Sequence, residues 1–380
     1  MSHLILHIGS HKTGTSSLQS SLLKNKAKLA ELNWQFNTLD KFGNSSTFIK
    51  SEYKKGRLVR SLSTEFKSVL KHFQEQNLII SGEHFSLLGK NDESVIKKIQ
   101  SLTAKYFKKT TIVLYLRRQD KLALSLKQQA AKGSALGQMV SSQLCGHSDK
   151  ALPELTDDMT SYLSFNENVR VWASYFGKES LRVRLFEKEQ LVDGDICADF
   201  SELINLPFKL ESLRVNEGVT RQFSLCSHLL LQTKLEPKLI IDIRNKIKKH
   251  PTYSKEKIEV AKADAFNFYQ HFKKDNDALL DWLGSKARFN ESFDEYPENS
   301  NYRLTQDELT LLLETIASCS EQGTSLSIDD INSIRDGALA LEKVDLAKAS
   351  SLMSIALKLR PSGKLIKQKL VAYRKLLMLG

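Results

Sequence analysis

Four cysteines in 380 residues, Cys145, Cys197, Cys226 and Cys319, stand far apart and form no C-x-x-C pair. Their scarcity argues against a disulfide framework or a structural zinc and fits a reducing compartment. Long apolar runs are missing too, since no stretch approaches the roughly 20 residues a membrane span needs. The first residues show no basic leader, apolar core and small-residue cleavage site, so a cytoplasmic rather than secreted protein is expected. Nine histidines lack metal-ligand spacing. His3, His7 and His11 recur every fourth residue, which would be one helical face, but the surrounding sequence reads as strand and loop. No metal site is therefore expected. What the chain has in surplus is positive charge, a net +12. Such a field favours anionic partners. The basic clusters at 24–28 and 246–250 read as solvated helix faces without interleaved aromatics, so nucleic acid is not expected.

The most informative pattern opens the chain. Leu4-Ile5-Leu6-His7-Ile8-Gly9 reads as a buried strand, and Ser10-His11-Lys12-Thr13-Gly14-Thr15-Ser16-Ser17 as a turn into a helix over about 15–33. In that helix Leu18, Leu22, Leu29 and Leu32 share one face. The free amides at a helix start point at an anion. Lys12 adds a full charge, and Thr13, Thr15, Ser16 and Ser17 add hydroxyls. A nucleotide P-loop reads G-x-x-x-x-G-K-[ST]. Here Gly9 and Gly14 keep the glycine spacing, but Thr15 stands where the lysine belongs and Lys12 comes two places before Gly14. The loop still suits phosphate, with chemistry other than that of an ATPase.

Three more apolar runs, 77–81, 110–116 and 181–186, alternate with amphipathic stretches at about 58–76, 92–106, 118–132 and 165–176. This alternation predicts an α/β layer fold around a central parallel sheet. In such sheets ligands bind beyond the carboxyl ends of the strands. After 110–116 come Arg117 and, eight residues on, Ser125, a guanidinium fork and a hydroxyl suited to a second anion. After 77–81 come Glu83 and His84, either able to take a proton from an acceptor hydroxyl. Phe186, after 181–185, can stack on a base or fill core.

Together these positions resemble the sulfotransferase family that uses 3'-phosphoadenosine 5'-phosphosulfate, in the tone of its bacterial glycan members. Residues 10–17 resemble the family's 5'-phosphosulfate loop, and Arg117 with Ser125 its 3'-phosphate motif. Weaker similarity runs through Val169-Arg170-Val171-Trp172, Leu181 to Glu187, Leu283-Gly284 and Phe289 to Phe293. The resemblance covers about 1–300 and implies a three-layer P-loop-type fold. It also implies in-line sulfuryl transfer to a carbohydrate or glycan hydroxyl, with an acidic acceptor in keeping with the basic chain. It requires no metal. His11, Lys12, Thr13, Gly14, Thr15, Ser16, Ser17, Arg117, Ser125, Phe186 and Arg221 are then the co-substrate contacts, and Lys12 with Glu83 or His84 the catalytic groups. Glu83 is in register with the family's base, and successive side chains at a strand end face opposite sides, so one of the pair faces the acceptor. Two departures stand out. The family's tryptophan after the loop is Ser17, leaving adenine to Phe186, and no Arg-Lys-Gly segment is found. Arg214-Val215-Asn216 and Arg221 are its substitutes.

Beyond Tyr296-Pro297-Glu298-Asn299-Ser300-Asn301 the pattern is wholly helical. Gly337, Ala349, Ala356 and Pro361 fit positions of a 34-residue frame resembling a tetratricopeptide repeat, although Ser333 and Asp336 replace its early bulky residues. Residues 301–380 are expected to form a small helical extension that docks a protein partner, a second subunit or the main domain. Acceptor contacts are expected from the small-residue stretch between Lys132 and Gly146. Two other readings stand beside the transferase. A P-loop kinase would need an acidic magnesium ligand, for which Asp120 is the candidate, and a noncatalytic scaffold would bind through the helical tail.

Overall fold

The computed structural model describes residues 2–54, 57–133, 140–212, 218–321 and 328–377. Among the described residues there are seven strands: β1 (His3–Gly9), β2 (Trp34–Asn37), β3 (Ile49–Lys54), β4 (Arg57–Leu62), β5 (Asn77–Ser81), β6 (Lys109–Leu116) and β7 (Leu181–Leu185). Five form one parallel sheet in the order β2-β5-β1-β6-β7. β3 and β4 pair antiparallel as a separate hairpin.

Side chains alternate across the sheet. On one face Ile5, Ile79, Val113 and Tyr115 pack with Leu18 and Leu22 of helix Thr15–Lys24 and with Phe200 of helix Ile196–Leu203. On the other, Ile8, Leu114 and Leu116 meet Phe165, Val169 and Trp172 of helix Phe165–Phe176. Both faces are thus covered, which is why β1, β5 and β6 read as nearly continuous apolar runs. Because the strands are parallel, Gly9, Ser81, Leu116 and Leu185 end at one edge. β1 lies between β5 and β6, so the chain leaves it at the point where the strand order reverses.

Three local readings need correction. The helix expected over 15–33 stops at Lys24, turns at Asn25, whose amide side chain donates to the Ser21 carbonyl (2.9 Å), and resumes as Lys26–Glu31. Leu18, Leu22 and Leu29 are buried, whereas Leu32, beyond the break, is exposed. Residues 58–62, expected to begin a helix, form β4, and the helix starts at Thr64 after Ser63 caps it.

The chain divides into two compact units, and not by a single cut near residue 300. The first comprises Met1–Leu126, Leu155–Glu217 and Lys262–Tyr296, the second Lys127–Glu154, Gly218–Ala261 and Pro297–Gly380. The expected boundary coincides with the last crossing only. In the second unit Ile240 and Ile243 of helix Pro237–Lys249 pack with Leu312 and Ile316 of helix Gln306–Glu321. Helices Ile328–Leu341, Leu346–Leu359 and Lys364–Leu377 follow, with Ala338, Ala349, Met353 and Ala356 fully buried among them. At Gly337, the small position of the repeat frame, an added Cβ would meet nothing within 4 Å, so no close helix approach explains that glycine.

Candidate active site

The loop between β1 and helix Thr15–Lys24 is built on unusual backbone. Gly9 (φ 88°), Lys12 (φ 62°) and Gly14 (φ 75°) all lie in the left-handed region. A Cβ at Gly9 would come within 3.1 Å of the Glu83 Cα, and one at Gly14 within 3.0 Å of Ile196 and 3.3 Å of the Phe186 ring. Glycine is therefore needed twice, for the turn and for close approach. The Ser10 amide and hydroxyl both donate to the Tyr115 carbonyl at 3.1 Å, tying the loop to β6. The Thr13 hydroxyl closes the turn on the Ser10 carbonyl at 2.7 Å. Of the hydroxyls expected to face an anion, those of Thr13 and Thr15 are thus engaged within the protein, Thr15 donating to Glu83. Ser16 and Ser17 are half-buried on the first helical turn.

Glu83 and His84 do not continue a strand. β5 ends at Ser81, and Glu83–Leu87 is a 3₁₀ turn whose first two amides donate to the Ser46 hydroxyl at 2.8 and 3.3 Å. The premise that the two side chains face opposite sides therefore fails, and both lie near His11. The Glu83 carboxylate is 4.0 Å from the His11 Nε2, and the His84 ring centroid is 5.9 Å from that of His11. Burial pushes the Glu83 carboxyl up to about 7, against the lowering pull of the Lys12 ammonium. His84 is lowered by burial, opposed by hydrogen bonds to the backbone of Ile49 and Ser46. His11 is held down to about 3 by burial, then by His84 and Lys12, and is neutral. Its Nδ1 lies 2.9 Å from the Tyr162 hydroxyl, which also accepts from the His11 amide at 3.4 Å. The Nε2 on the other side of the ring is the nitrogen turned toward the Glu83 carboxylate.

Arg117 leaves β6 and turns back over the start of helix Gln119–Ala131. Its Nη1 donates to the Lys12 carbonyl at 2.8 Å and to the Ser125 hydroxyl at 3.1 Å. Among the described residues its bonds go to a carbonyl and a hydroxyl and not to a carboxylate. Burial lowers its pKa, while Tyr296, Asp120 and Glu295 act in the opposite direction. The Phe186 ring, half-buried, lies against Gly14 with the guanidinium 6.0 Å from its centroid. Lys12, Glu83, Arg117 and Phe186 thus come together from the loops after four adjacent parallel strands.

Several residues here carried no signal in the sequence. Arg118, next to Arg117, is wholly buried and makes a two-fold ion pair with Asp120 at 2.8 and 2.9 Å. Its remaining nitrogen donates to the carbonyls of Asn290 and Ser292, and the Phe293 ring lies 4.2 Å away. It fastens the 289–296 segment beside Arg117. The Asp120 Oδ2 also accepts from Tyr296 at 2.5 Å, so the carboxylate that a kinase reading would give to magnesium is already engaged. Ser46 and Tyr162 were equally invisible, reaching the site from 37 and 151 residues away.

Arg221, expected as a late phosphate contact, belongs to the second unit. There its guanidinium is bound by Glu308 (2.5 and 2.9 Å), Glu256 (3.0 Å) and the Arg303 carbonyl (2.5 Å). Carboxylates have taken the donors an anion would need. Arg214, Val215 and Asn216 lie outside the described residues, as do positions 134–139 of the expected acceptor stretch, while Val140–Cys145 within it is a helix. Among the described residues no group of His, Cys, Asp and Glu is arranged to hold a metal ion, and no helix is long and apolar enough to cross a membrane.

No protein-family model matches the chain, and no curated protein matches it. Among solved structures, a sulfotransferase from Alicyclobacillus acidocaldarius is similar over 74% of this chain and 96% of that one, at 12% identity and a TM-score of 0.40. At that distance the reading of the site rests on this chain's own residues.

Proposed function

We propose that the first unit is a sulfotransferase that binds 3'-phosphoadenosine 5'-phosphosulfate between the 10–14 loop and Arg117 and acts on a carbohydrate hydroxyl. The observation that carries this reading is the bond from Arg117 to the Lys12 carbonyl, with Ser125 on the same nitrogen. It joins a second cationic site to the loop, and a nucleoside with phosphate at both ends is the ligand that needs two. The loop fits such a ligand, because Gly9 and Gly14 keep its wall at bare backbone where a side chain would crowd Glu83 and Phe186. Successive amides in this geometry make an anion-binding concavity.

When bound, the co-substrate supplies an activated sulfuryl group. Lys12 and the amides of the helix start stabilise charge on the departing phosphate oxygen, a preorganised electrostatic role. Glu83 takes the proton of the acceptor hydroxyl as the new oxygen–sulfur bond forms and the old one breaks. A carboxyl near pKa 7 suits that task, being able to accept a proton at neutral pH and to hold it. The Thr15 hydroxyl, donating to Glu83, orients the carboxylate, and the buried His11 ring lies beside it.

Titration calorimetry with adenosine 3',5'-bisphosphate against ATP and magnesium tests the reading. The bisphosphate is expected to bind the more tightly, with no effect of a chelator. Tighter ATP binding would favour a kinase, and no binding of either would favour a scaffold.

A further inference from the structure

The second unit contains a cavity of about 480 Å³. That lies within the roughly 300–1,000 Å³ of small-molecule sites, whereas packed interiors leave few voids larger than a water. Its walls are branched aliphatic side chains from four helices: Leu225, Leu309, Leu313, Ile334, Leu352 and Ile355. Among the described lining residues the rings are those of Tyr302, whose hydroxyl lies 3.1 Å from that of Ser224, and His228, whose Nε2 lies 3.1 Å from the Lys127 carbonyl. Aliphatic side chains far outnumber these two rings in the walls. They match a flexible hydrocarbon.

Gly337 lines the same cavity from inside helix Ile328–Leu341, and an added Cβ there would meet nothing within 4 Å. Glycine inside a helix is unfavourable relative to almost any other residue. Here it leaves open space in a wall that a leucine would fill. The charged lining is Asp149, Lys348, which is paired with Asp345 at 2.8 Å, and the exposed Arg303, whose guanidinium is the cation at the rim.

We propose that this cavity binds the single aliphatic chain of an amphiphile with an anionic head, the chain among the leucines and isoleucines and the head near Arg303. The inference does not rest on the sulfuryl-transfer reading of the first unit. Titration calorimetry of the full chain with octanoate, decanoate and dodecanoate, each below its micelle concentration, tests it. Binding at one site is expected, tightening about fourfold per added methylene. Gly337→Leu and, independently, Leu352→Trp should each weaken dodecanoate at least tenfold, with the circular dichroism melt of Gly337→Leu unchanged or higher. The proposal is overturned if dodecanoate shows no saturable binding, if affinity ignores chain length, or if both variants bind as the wild type does. Tighter binding of 2-naphthoate than of dodecanoate would also overturn it, as the wall would then favour planar rings.

Discussion

Arg117 and Arg221 are both drawn out of water, one at the carboxyl edge of the sheet in the first unit, the other at a helix start in the second. Their partners differ in kind. Arg221 opens helix Arg221–Leu231, where the helix dipole is unfavourable to a cation, and two carboxylates neutralise it. Arg117 bonds to a carbonyl and a hydroxyl, both neutral. An arginine bonded to carboxylates stabilises a fold, whereas on the proposed reading one bonded to neutral acceptors is the one that pairs with an arriving anion. The difference lies in the surroundings and not in the residue.

Substitutions can separate those roles. The largest effect is expected at Glu83, which shares the Arg117 region: Glu83→Gln should lower turnover by about 10²–10⁴-fold. In the wild type, activity should rise with pH through about 7 as the carboxyl loses its proton. A variant with normal turnover would move the base to His84 or elsewhere. Next comes Arg221→Ala, which strands Glu308 and should reduce unfolding free energy by about 3–5 kcal/mol. Denaturant titration reads that loss, and affinity for adenosine 3',5'-bisphosphate in the folded fraction should not change. If affinity falls while stability holds, the comparison is reversed.

Arg117→Ala should do the opposite. Its loss should weaken the bisphosphate by about 10–100-fold, the scale of hydrogen bonds to a charged group. The analogue without the 3'-phosphate should be weakened far less, and equal losses would remove Arg117 from the site. The smallest effect is on stability at Glu83. Its folded pKa of about 7 lies above the ordinary 4.5, so the fold loses stability as pH rises between those values and carries the whole cost above about 7. Glu83→Gln removes that cost and at pH 8, but not at pH 4, should add on the order of 2 kcal/mol or less to the unfolding free energy, read as a melting temperature above that of the wild type. No difference between the two pH values would mean that the carboxyl titrates normally.

Much of the first unit was legible because its strands are local patterns. β1, β5 and β6 appear as apolar runs, since both faces of the sheet are covered there, and the edge strand β7 shows as Leu181, Val183 and Leu185 alternating with the exposed Arg182 and Arg184. β2 did not, being four residues at the sheet edge with three of them only half-buried. The hairpin strand β4 was missed because its residues mix apolar and polar types without clear alternation. The second unit was read as a tail because its three segments are separated in sequence by parts of the first, and no periodicity marks which helices will share a core.

The sequence by itself determined a loop of the form that suits a phosphate-like anion. A lysine between two glycines, ahead of a helix start, is a local arrangement, and backbone sterics with helix electrostatics act over a few residues. Tertiary structure decided the rest. Whether Arg117 or Arg221 is paired with carboxylates, whether Asp120 is available to a metal, and whether Glu83 titrates near neutrality depend on partners brought from 2 to 176 residues away and on the water they exclude. Burial and pairing set the free energy of a charge, and neither exists until the chain has folded.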